Sequence, residues 1–449
     1  MGSTNSTEVS KPFSRARALL QAFLFVVPMI VTTGVSILLF SNLSDLSFVQ
    51  HNTLSIVVLA AVIFSLLGMA GVQLLLYRII EEPSYQDGGI TRGVKTSLIY
   101  CILFSILISL ILAPYFYLVL NFSLLELLSF FVLLFLFSAT WIYSSAFWAL
   151  EFYEFPALVF IVSYAAIFGI TLYVYSINPS YTLFAYVIGT AFLPLLFGIL
   201  AGIVFEKPKL AHKIGDDLRK FRKLTASMFL AVLYNIFYVL CVFLDKIIVW
   251  LFQGASAGTG LLIPGSYTVG SFLGLVPMLS VGVLAYFNSR TKELVRNRYL
   301  GTLPDIKNIV IEYKGVYWRC LTALVLITIV LIVLVNIAGL MFFSDNHTLL
   351  IVATISMGSL FLVLIVFNSS VLPLFGRTGI STLAISCVVI FELLSIYLVA
   401  YDTWFCALGF LLGAFIGSLI SLLSIVNTFR NFEYNMFRYV ASMTATKIE

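Results

Sequence analysis

The chain contains twelve apolar stretches that are each long enough to cross a lipid bilayer. A membrane-spanning helix needs about 20 apolar residues, and it satisfies its own backbone hydrogen bonds where water is absent. Only 10% of the 449 residues are charged, compared with about 25% in soluble domains. These features predict an all-α polytopic membrane protein with twelve transmembrane helices. The predicted spans are residues 18–40, 54–77, 97–120, 124–150, 156–176, 183–205, 226–252, 265–287, 316–343, 349–375, 379–400 and 404–428.

The longest charged segment separates the first six spans from the last six. It runs from Glu206 to Lys223, with the sequence EKPKLAHKIGDDLRKFRK. We therefore expect an N-terminal lobe over residues 1–205, a cytoplasmic linker over 206–225 and a C-terminal lobe over 226–449. Two equal sets of spans are typical of transporters whose binding site lies between the sets.

The positions of lysine and arginine indicate the orientation in the membrane. With a cytoplasmic N-terminus, the outer connections contain no Lys or Arg, and every basic residue except Lys246 falls on the inner side. An excess of basic residues is typical of cytoplasmic connections. The pattern predicts a multi-pass protein of the cytoplasmic (plasma) membrane with both termini in the cytoplasm.

Two shorter patterns predict local structure. Pro304 and Asp305 are helix-start signals, and apolar residues at helical spacing follow, so we expect a short amphipathic helix on the inner membrane surface. Gly409, Gly413 and Gly417 recur at every fourth position of span 12. This spacing predicts a helix that packs closely against its neighbour.

The seventh span, from Tyr234 to Trp250, places an acid next to a base within its apolar run, Asp245 and Lys246. Charged side chains inside a bilayer are costly and usually face a protein interior or a water-filled cavity. At about 100° per residue, the polar and aromatic residues of this span share one wide helix face. We predict that this face lines a transport pathway. The predicted cavity residues of the span are Tyr234, Asn235, Tyr238, Asp245, Lys246 and Trp250.

The charged pair carries two further expectations. Adjacent helix residues project about 100° apart, so we expect Asp245 and Lys246 to meet different partners across the cavity. Trp250 is interpreted as an interfacial anchor. At about 1.5 Å per residue this places the pair about 6–8 Å inside the outer boundary of the membrane.

An aromatic and hydroxyl stripe follows one face of span 4. Ser138, Trp141, Ser145 and Trp148 recur at helical spacing. Sugars stack their apolar ring faces on aromatic side chains while their hydroxyls bond to polar neighbours. We predict that Trp141, Ser145 and Trp148 line the inner half of the cavity and contact sugar. The alternative is helix packing together with an interfacial aromatic belt.

Glu392 lies near mid-depth in span 11 and has no charged neighbour in the sequence. An isolated acid at that depth is a candidate proton or cation site. Glu392 and Asp245 are therefore the predicted ion-coupling residues. The alternative for Glu392 is a hydrogen-bonded structural acid.

The sequence offers no pattern for catalysis or for a cofactor. Its three histidines, His51, His212 and His347, are scattered over loops, so no metal-ligand spacing is present. No nucleotide-binding motif is found, and no catalytic residue, cofactor or nucleic-acid partner is predicted.

Span 7 carries the clearest family motif, Asn235-Ile-Phe-Tyr238 followed by Asp245-Lys246-x-Ile248-x-Trp250. The aromatic end of span 4 and the run from Arg298 to Ile306 add to it. Together these stretches resemble the PelG family of exopolysaccharide exporters within the MOP (multidrug/oligosaccharidyl-lipid/polysaccharide) superfamily. The resemblance implies two six-helix lobes around a V-shaped cavity, and export of a polysaccharide or lipid-linked saccharide. It also implies a cytoplasmic glycosyltransferase and small membrane proteins as partners, in addition to the lipid bilayer.

Two other functions compete with saccharide export. A cation-coupled drug exporter of the same superfamily would need acids deep in its N-terminal lobe, and spans 1 to 3 contain none. A membrane-embedded glycosyltransferase or ligase would need catalytic groups in substantial outer loops. The outer connections of this chain are short and nearly uncharged.

Overall fold

The structure, a computed structural model, describes residues 15–43, 48–81, 89–205, 228–257, 261, 263, 265–298 and 303–432. The regular elements in these ranges are helices, without a β-strand, which confirms the all-α fold. The α-helices are α1 Arg15–Asn42, α2 Phe48–Glu81, α3 Gly89–Leu118, α4 Leu124–Ala149, α5 Glu154–Ile177, α6 Thr182–Thr190, α7 Phe192–Val204, α8 Phe229–Ser256, α9 Gly265–Gly274, α10 Val283–Arg298, α11 Leu303–Phe342, α12 Asn346–Val371, α13 Thr378–Leu394 and α14 Trp404–Arg430.

Eleven stretches of the described residues are long and apolar enough, by length and composition, to cross a membrane. They correspond to predicted spans 2 to 12. The first predicted span corresponds to α1, in which the apolar run is Leu20–Thr32. The helices are therefore consistent with the twelve spans predicted from the sequence.

Two of the spans are interrupted helices. In span 6, α6 ends at Thr190 and α7 begins at Phe192. In span 8, α9 ends at Gly274 and a 3-10 segment, Val276–Gly282, leads into α10. Pro277 lies in the first turn of this segment, where its missing N–H interrupts the α-helical hydrogen bonds. Span 8 therefore consists of two short halves joined by a tighter turn.

The prediction of a short, separate surface helix after span 8 is wrong. The segment is the beginning of α11, which runs without interruption from Leu303 to Phe342. No proline follows Pro304 within this helix, so nothing breaks its hydrogen-bond pattern before span 9.

The helices pack in two sets around separate clusters of buried apolar side chains. Helices α1 to α7 contribute a cluster that extends in sequence from Leu39 to Phe205. Helices α8 to α14 contribute a second cluster, from Cys241 to Phe432. The predicted linker over residues 206–225 lies outside the described residues.

The two sets meet along α2 and α8. Ile63 and Ala70 of α2 share a third buried cluster with Val239, Phe243 and Trp250 of α8. We call this contact the seam. The sequence predicted a polar face for α8. The face of α8 that lies in the seam instead consists of tightly packed apolar side chains.

Polar contacts lie at both ends of the seam. Asn235 donates its Nδ2 hydrogen to the Ala70 carbonyl oxygen at 3.0 Å. Near the start of α2, Asn52 donates from Nδ2 to the Leu261 carbonyl oxygen at 3.3 Å, and its Oδ1 accepts from the Ile263 N–H at 3.2 Å. The two helix sets are therefore joined by side-chain amides that bond to backbone groups of the opposite set.

Glycines allow α14 to pack closely on α13, as the sequence predicts. A Cβ atom at Gly409 would lie 2.8 Å from the Phe391 carbonyl oxygen, and one at Gly413 would lie 2.6 Å from the Val388 Cα atom. Gly417 approaches α13 in the same way. Small side chains at such positions let two helix backbones approach each other.

We expect Gly413→Ala to destabilise the protein, because the added methyl group would push α14 away from the α13 backbone. Overpacking of this kind costs about 1–3 kcal/mol. The matched control is Gly202→Ala in α7, where a Cβ atom has no neighbour within 4 Å. Thermal unfolding in detergent should show a lower midpoint for Gly413→Ala and an equal or higher midpoint for Gly202→Ala. Equal midpoints for Gly413→Ala and the parent chain would contradict the close packing.

Candidate functional site

Asp245 and Lys246 lie in the interior of the second helix set, and each is 1% exposed. Lys246 Nζ donates to Asp245 Oδ1 at 2.9 Å and to the Val242 carbonyl oxygen at 2.9 Å. The ammonium group also lies 5.2 Å from the centre of the Phe272 ring. The expectation that the pair meets separate partners is wrong, because the flexible lysine side chain folds back along α8 and reaches its neighbour.

Tyr267 of α9 bonds to the second oxygen of the Asp245 carboxylate. Its hydroxyl donates to Oδ2 at 3.1 Å, and Tyr267 itself is buried. Asp245 therefore accepts one hydrogen bond on each oxygen, and one of the two donors is a cation. A buried charge is tolerated when it is paired and hydrogen-bonded in this way.

Glu392 of α13 joins the same cluster. It is 0% exposed, and its helix packs directly against α8, which carries Asp245 and Lys246. Neither Oε1 nor Oε2 has a hydrogen-bond partner among the described residues. The described residues therefore do not support the alternative that Glu392 is a hydrogen-bonded structural acid. We refer to Asp245, Lys246, Glu392 and Tyr267 as the charged cluster.

Trp250 is buried in the seam rather than exposed at the end of its helix. It is 3% exposed, and its Nε1–H donates to Thr268 Oγ1 at 2.9 Å. Helix α8 continues to Ser256, so the interpretation of Trp250 as an interfacial anchor is wrong. Asp245 lies about 16 Å from the end of α8 at about 1.5 Å per residue.

The remaining predicted cavity residues of α8 are divided between two surroundings. Tyr234 and Tyr238 are partly buried against the apolar cluster of the second set. Asn235 instead bonds across the seam to the first set. Their role in lining a transport pathway stays a prediction.

The aromatic stripe of α4 lies close to α1 and α5. The Trp148 ring is 5.2 Å from Phe25 of α1, and the Trp141 ring is 5.8 Å from Phe160 of α5. Ser145 between them is buried. The indole Nε1 atoms of Trp141 and Trp148 have no hydrogen-bond partner among the described residues. An indole N–H can only donate. Both Nε1 atoms are buried in this structure, so an acceptor from a ligand could reach them only after the neighbouring helices move.

Helix α1 also touches the second set, which places the α4 stripe near the boundary between the sets. A Cβ atom at Gly282 would lie 2.7 Å from the Ala22 carbonyl oxygen of α1. Trp148 is therefore separated from the second set by one helix.

Sequence reasoning missed Tyr267 and Thr268, which bond to Asp245 and Trp250. Together with Ser271 they form a polar stripe at positions i, i+1 and i+4 of α9, and this pattern in an apolar span is a usable signal. The sequence also gave no indication that spans 7 and 11 bring Glu392 to Asp245, because that contact depends on tertiary packing.

The described residues contain no group of three or more His, Cys, Asp or Glu side chains that could hold a metal ion. A separate acid–histidine contact lies before span 12, where His347 Nε2 and Asp402 Oδ1 are 2.7 Å apart. Desolvation alone would raise the pKa of Asp402, but hydrogen bonds from His347 and the Trp404 N–H hold that pKa below its usual value.

Solved structures of MATE and MOP transporters have the same fold. A crystal structure of a MATE transporter in a bent conformation matches with a TM-score of 0.63, 11% identity and 96% of both chains covered. The MATE transporter ClbM in complex with Rb+ matches with a TM-score of 0.59 and 14% identity, over 90% of this chain and 93% of that one. A MOP superfamily transporter from Pyrococcus furiosus, with a binding pocket of reverse polarity, matches with a TM-score of 0.61 and 11% identity, over 93% of this chain and 96% of that one. These matches show a MATE/MOP transporter fold.

Residues 10–437 match the family model PelG, whose description reads "Putative exopolysaccharide Exporter (EPS-E)". The match covers nearly the whole chain, and the chain belongs to the PelG family. No curated protein sequence gives a match. The family match makes this chain a membrane transporter and not an enzyme, and its fold is that of the MATE and MOP transporters.

The charged cluster predicts an unequal response to the loss of each charge. Lys246→Met leaves the carboxyl groups of Asp245 and Glu392 buried without a cation, and breaking a buried ion pair costs about 3–5 kcal/mol. Asp245→Asn should cost less, because Glu392 can still pair with Lys246. The double variant Asp245→Asn/Lys246→Met should unfold at a higher temperature than Lys246→Met alone.

Thermal unfolding of the purified variants in detergent measures this order. Lys95→Met is the matched control, since Lys95 is exposed on α3 and its replacement should leave the midpoint unchanged. A Lys246→Met midpoint equal to that of Lys95→Met would show that the buried pair does not support the fold.

Proposed function

We propose that the chain moves a polysaccharide or a lipid-linked saccharide across the cytoplasmic membrane by alternating access. The PelG family match supports a saccharide as the substrate. The structural observation that carries the proposal is the pair of unpartnered indole N–H groups on α4, each next to a second aromatic ring. A sugar supplies hydroxyl oxygens as acceptors and apolar ring faces for stacking, so it fits both features.

The proposed substrate site uses residues from both helix sets. Trp141, Ser145 and Trp148 contact the sugar from the first set. Tyr234, Asn235, Tyr238, Asp245, Lys246 and Trp250 face the pathway from the second set during the transport cycle. Since Asp245 and Lys246 are buried in this structure, their exposure requires the two sets to separate along the seam.

The proposed orientation follows the positive-inside pattern. Both termini are cytoplasmic, and residues 206–225 link an N-terminal lobe over 1–205 to a C-terminal lobe over 226–449 on that side. A cytoplasmic glycosyltransferase delivers the saccharide at this face, together with small membrane partners. The segment Glu206 to Lys223 carries enough basic residues to dock an acidic surface of such a partner.

The proposed energy source is a cation or proton gradient acting through the charged cluster. Glu392 is a fully buried carboxyl group without a hydrogen-bond partner among the described residues. An acid at this depth is costly in a membrane protein and marks a candidate path for an ion. Of the small cations, a proton fits the site best, since Lys246 already occupies one carboxylate oxygen of Asp245.

A cation-coupled exporter of small molecules is the second candidate, and the MATE fold favours it. An aromatic stripe with two N–H donors would also bind a flat drug molecule. The two candidates differ in ligand preference. Saccharide export predicts binding of oligosaccharides, whereas drug export predicts binding of aromatic cations.

We expect Trp148→Ala to reduce saccharide export while the protein still inserts into the membrane. The substitution removes both the stacking surface and the N–H donor. Trp148→Phe retains the ring but loses one hydrogen bond, worth about 0.5–1.5 kcal/mol, or roughly 2–10-fold in affinity. The measurements are secreted saccharide per unit of membrane protein, and binding of neutral, N-acetylated, amino and acidic oligosaccharides to the purified protein.

Trp318→Phe on α11 is the matched control, because Trp318 is exposed on the outside of the bundle. The Trp318→Phe protein should export saccharide and bind oligosaccharides as the parent chain does. Normal export by Trp148→Ala would show that the α4 stripe is not part of the substrate site. Binding of aromatic cations but of no oligosaccharide would favour the second candidate.

A further inference from the structure

We propose that Phe25 of α1 occupies the position on Trp148 that a sugar ring needs, so that a substrate must displace it in order to bind. The inference rests on the proposed function, because it takes Trp148 as a contact of the substrate. It adds a residue of α1 to a site that the sequence places on spans 4 and 7. In this role Phe25 is an internal competitor of the substrate.

The Phe25 ring lies against two aromatic rings. Its centre is 5.2 Å from that of Trp148, with 52° between the ring planes, and 6.1 Å from that of Tyr153, with 79°. Both separations lie in the range in which aromatic rings attract each other. A sugar that stacks on this side of Trp148 needs the same space. The sugar and the Phe25 ring therefore exclude each other.

The Phe25–Trp148 pair packs outside the interior of the helix sets. Neither residue belongs to the clusters of buried apolar side chains that the described residues form. Phe25 itself is partly exposed. Side chains with few buried apolar contacts move at low cost in free energy. Phe25 can therefore leave Trp148 while the apolar clusters stay intact.

The other tryptophan of the α4 stripe is covered by a residue of the core. Trp141 lies beside Phe160, which is 1% exposed and belongs to the buried cluster of the first set. Phe160 also packs on Tyr164 and Phe197, at 6.0 and 6.2 Å between ring centres. Displacing it would open a cavity in the core, which is costly. Of the two tryptophans, Trp148 is therefore the one that a ligand can uncover.

The turn of α1 that carries Phe25 touches both helix sets. A Cβ atom at Gly282 of the second set would lie 2.7 Å from the Ala22 carbonyl oxygen and 3.5 Å from Val26 Cγ1. Phe25 lies on the same turn, about 60° around the helix from Ala22. A movement of the two sets relative to each other therefore changes the surroundings of the turn that holds Phe25 on Trp148.

The Trp148 side chain indicates which ligands can displace Phe25. Its Nε1 atom is buried without a partner among the described residues, and an unpaired buried donor is unfavourable. A phenylalanine side chain has no acceptor to offer. A ligand that only stacks would exchange one ring contact for another, whereas a sugar also brings hydroxyl oxygens that accept a hydrogen bond. The displacement therefore favours ligands that combine an apolar face with an acceptor.

Phe25→Ala removes the competitor and should bind oligosaccharides more tightly. The contribution of one aromatic pair corresponds to a change of roughly 2–10-fold in Kd. Phe25→Tyr retains the ring and should bind as the parent chain does. In a Trp148→Ala background, Phe25→Ala should have no effect, because the contested position is absent. The measurement is the binding of neutral and acidic oligosaccharides to the purified full chain.

Phe23→Ala is the matched control, because Phe23 lies on the same helix and is 58% exposed. It should bind oligosaccharides with the affinity of the parent chain. Equal or weaker binding by Phe25→Ala would overturn the proposal. The same gain in the Trp148→Ala background would overturn it as well, because Phe25 would then act elsewhere than on Trp148.

A second measurement needs no ligand. Phe25→Ala should unfold close to the midpoint temperature of the parent chain, whereas Phe160→Ala should unfold well below it, since that change opens the core. A decrease in Phe25→Ala as large as that in Phe160→Ala would show that Phe25 is a core residue and would overturn the proposal. If oligosaccharides bind to none of the proteins, the proposed function fails, and the unfolding midpoints still decide the role of Phe25.

Discussion

The burial of the ion pair between Lys246 and Asp245 is the constraint that the packing of the second helix set must satisfy. Each charge is almost fully buried, and moving an ion out of water costs several kcal/mol unless a counter-ion and hydrogen bonds compensate. The Val242 carbonyl and the Tyr267 hydroxyl complete that compensation. Replacing one member therefore affects the whole cluster, including the uncompensated Glu392.

Helix α8 places this cluster directly behind the boundary between the two sets. Its seam side packs on α2 through Val239, Phe243 and Trp250, while Asp245 and Lys246 face the interior of the second set. A change of charge inside the cluster and a movement of the two sets thus act on the same helix. The Asn52 contacts with the segment before α9 give a second connection, because α9 carries Tyr267. The seam and the Asn52 contacts both consist of groups in direct contact, and a transport cycle can rearrange such contacts.

Hydropathy was sufficient to predict the helical fold, because every spanning segment must satisfy its own backbone hydrogen bonds. The close contact of Gly413 with Val388 could also be predicted from the sequence, since small residues at helical spacing indicate closely packed helices. Side-chain direction could not be predicted in the same way. The angle between adjacent residues on a helix suggested separate partners for Asp245 and Lys246, yet a four-carbon side chain is long enough to remove that separation. The meeting of Glu392 with the pair depends on the packing of α13 against α8, which no local pattern encodes.

The central claim is that saccharide movement is coupled to proton exchange in the charged cluster. Its most direct test is the simultaneous measurement of proton flux and oligosaccharide flux in vesicles that contain the purified chain. An imposed pH gradient should accelerate oligosaccharide movement, with protons moving in the opposite direction, and Glu392→Gln should lose this dependence. Equal oligosaccharide flux with and without the gradient, and no accompanying proton flux, would contradict the account.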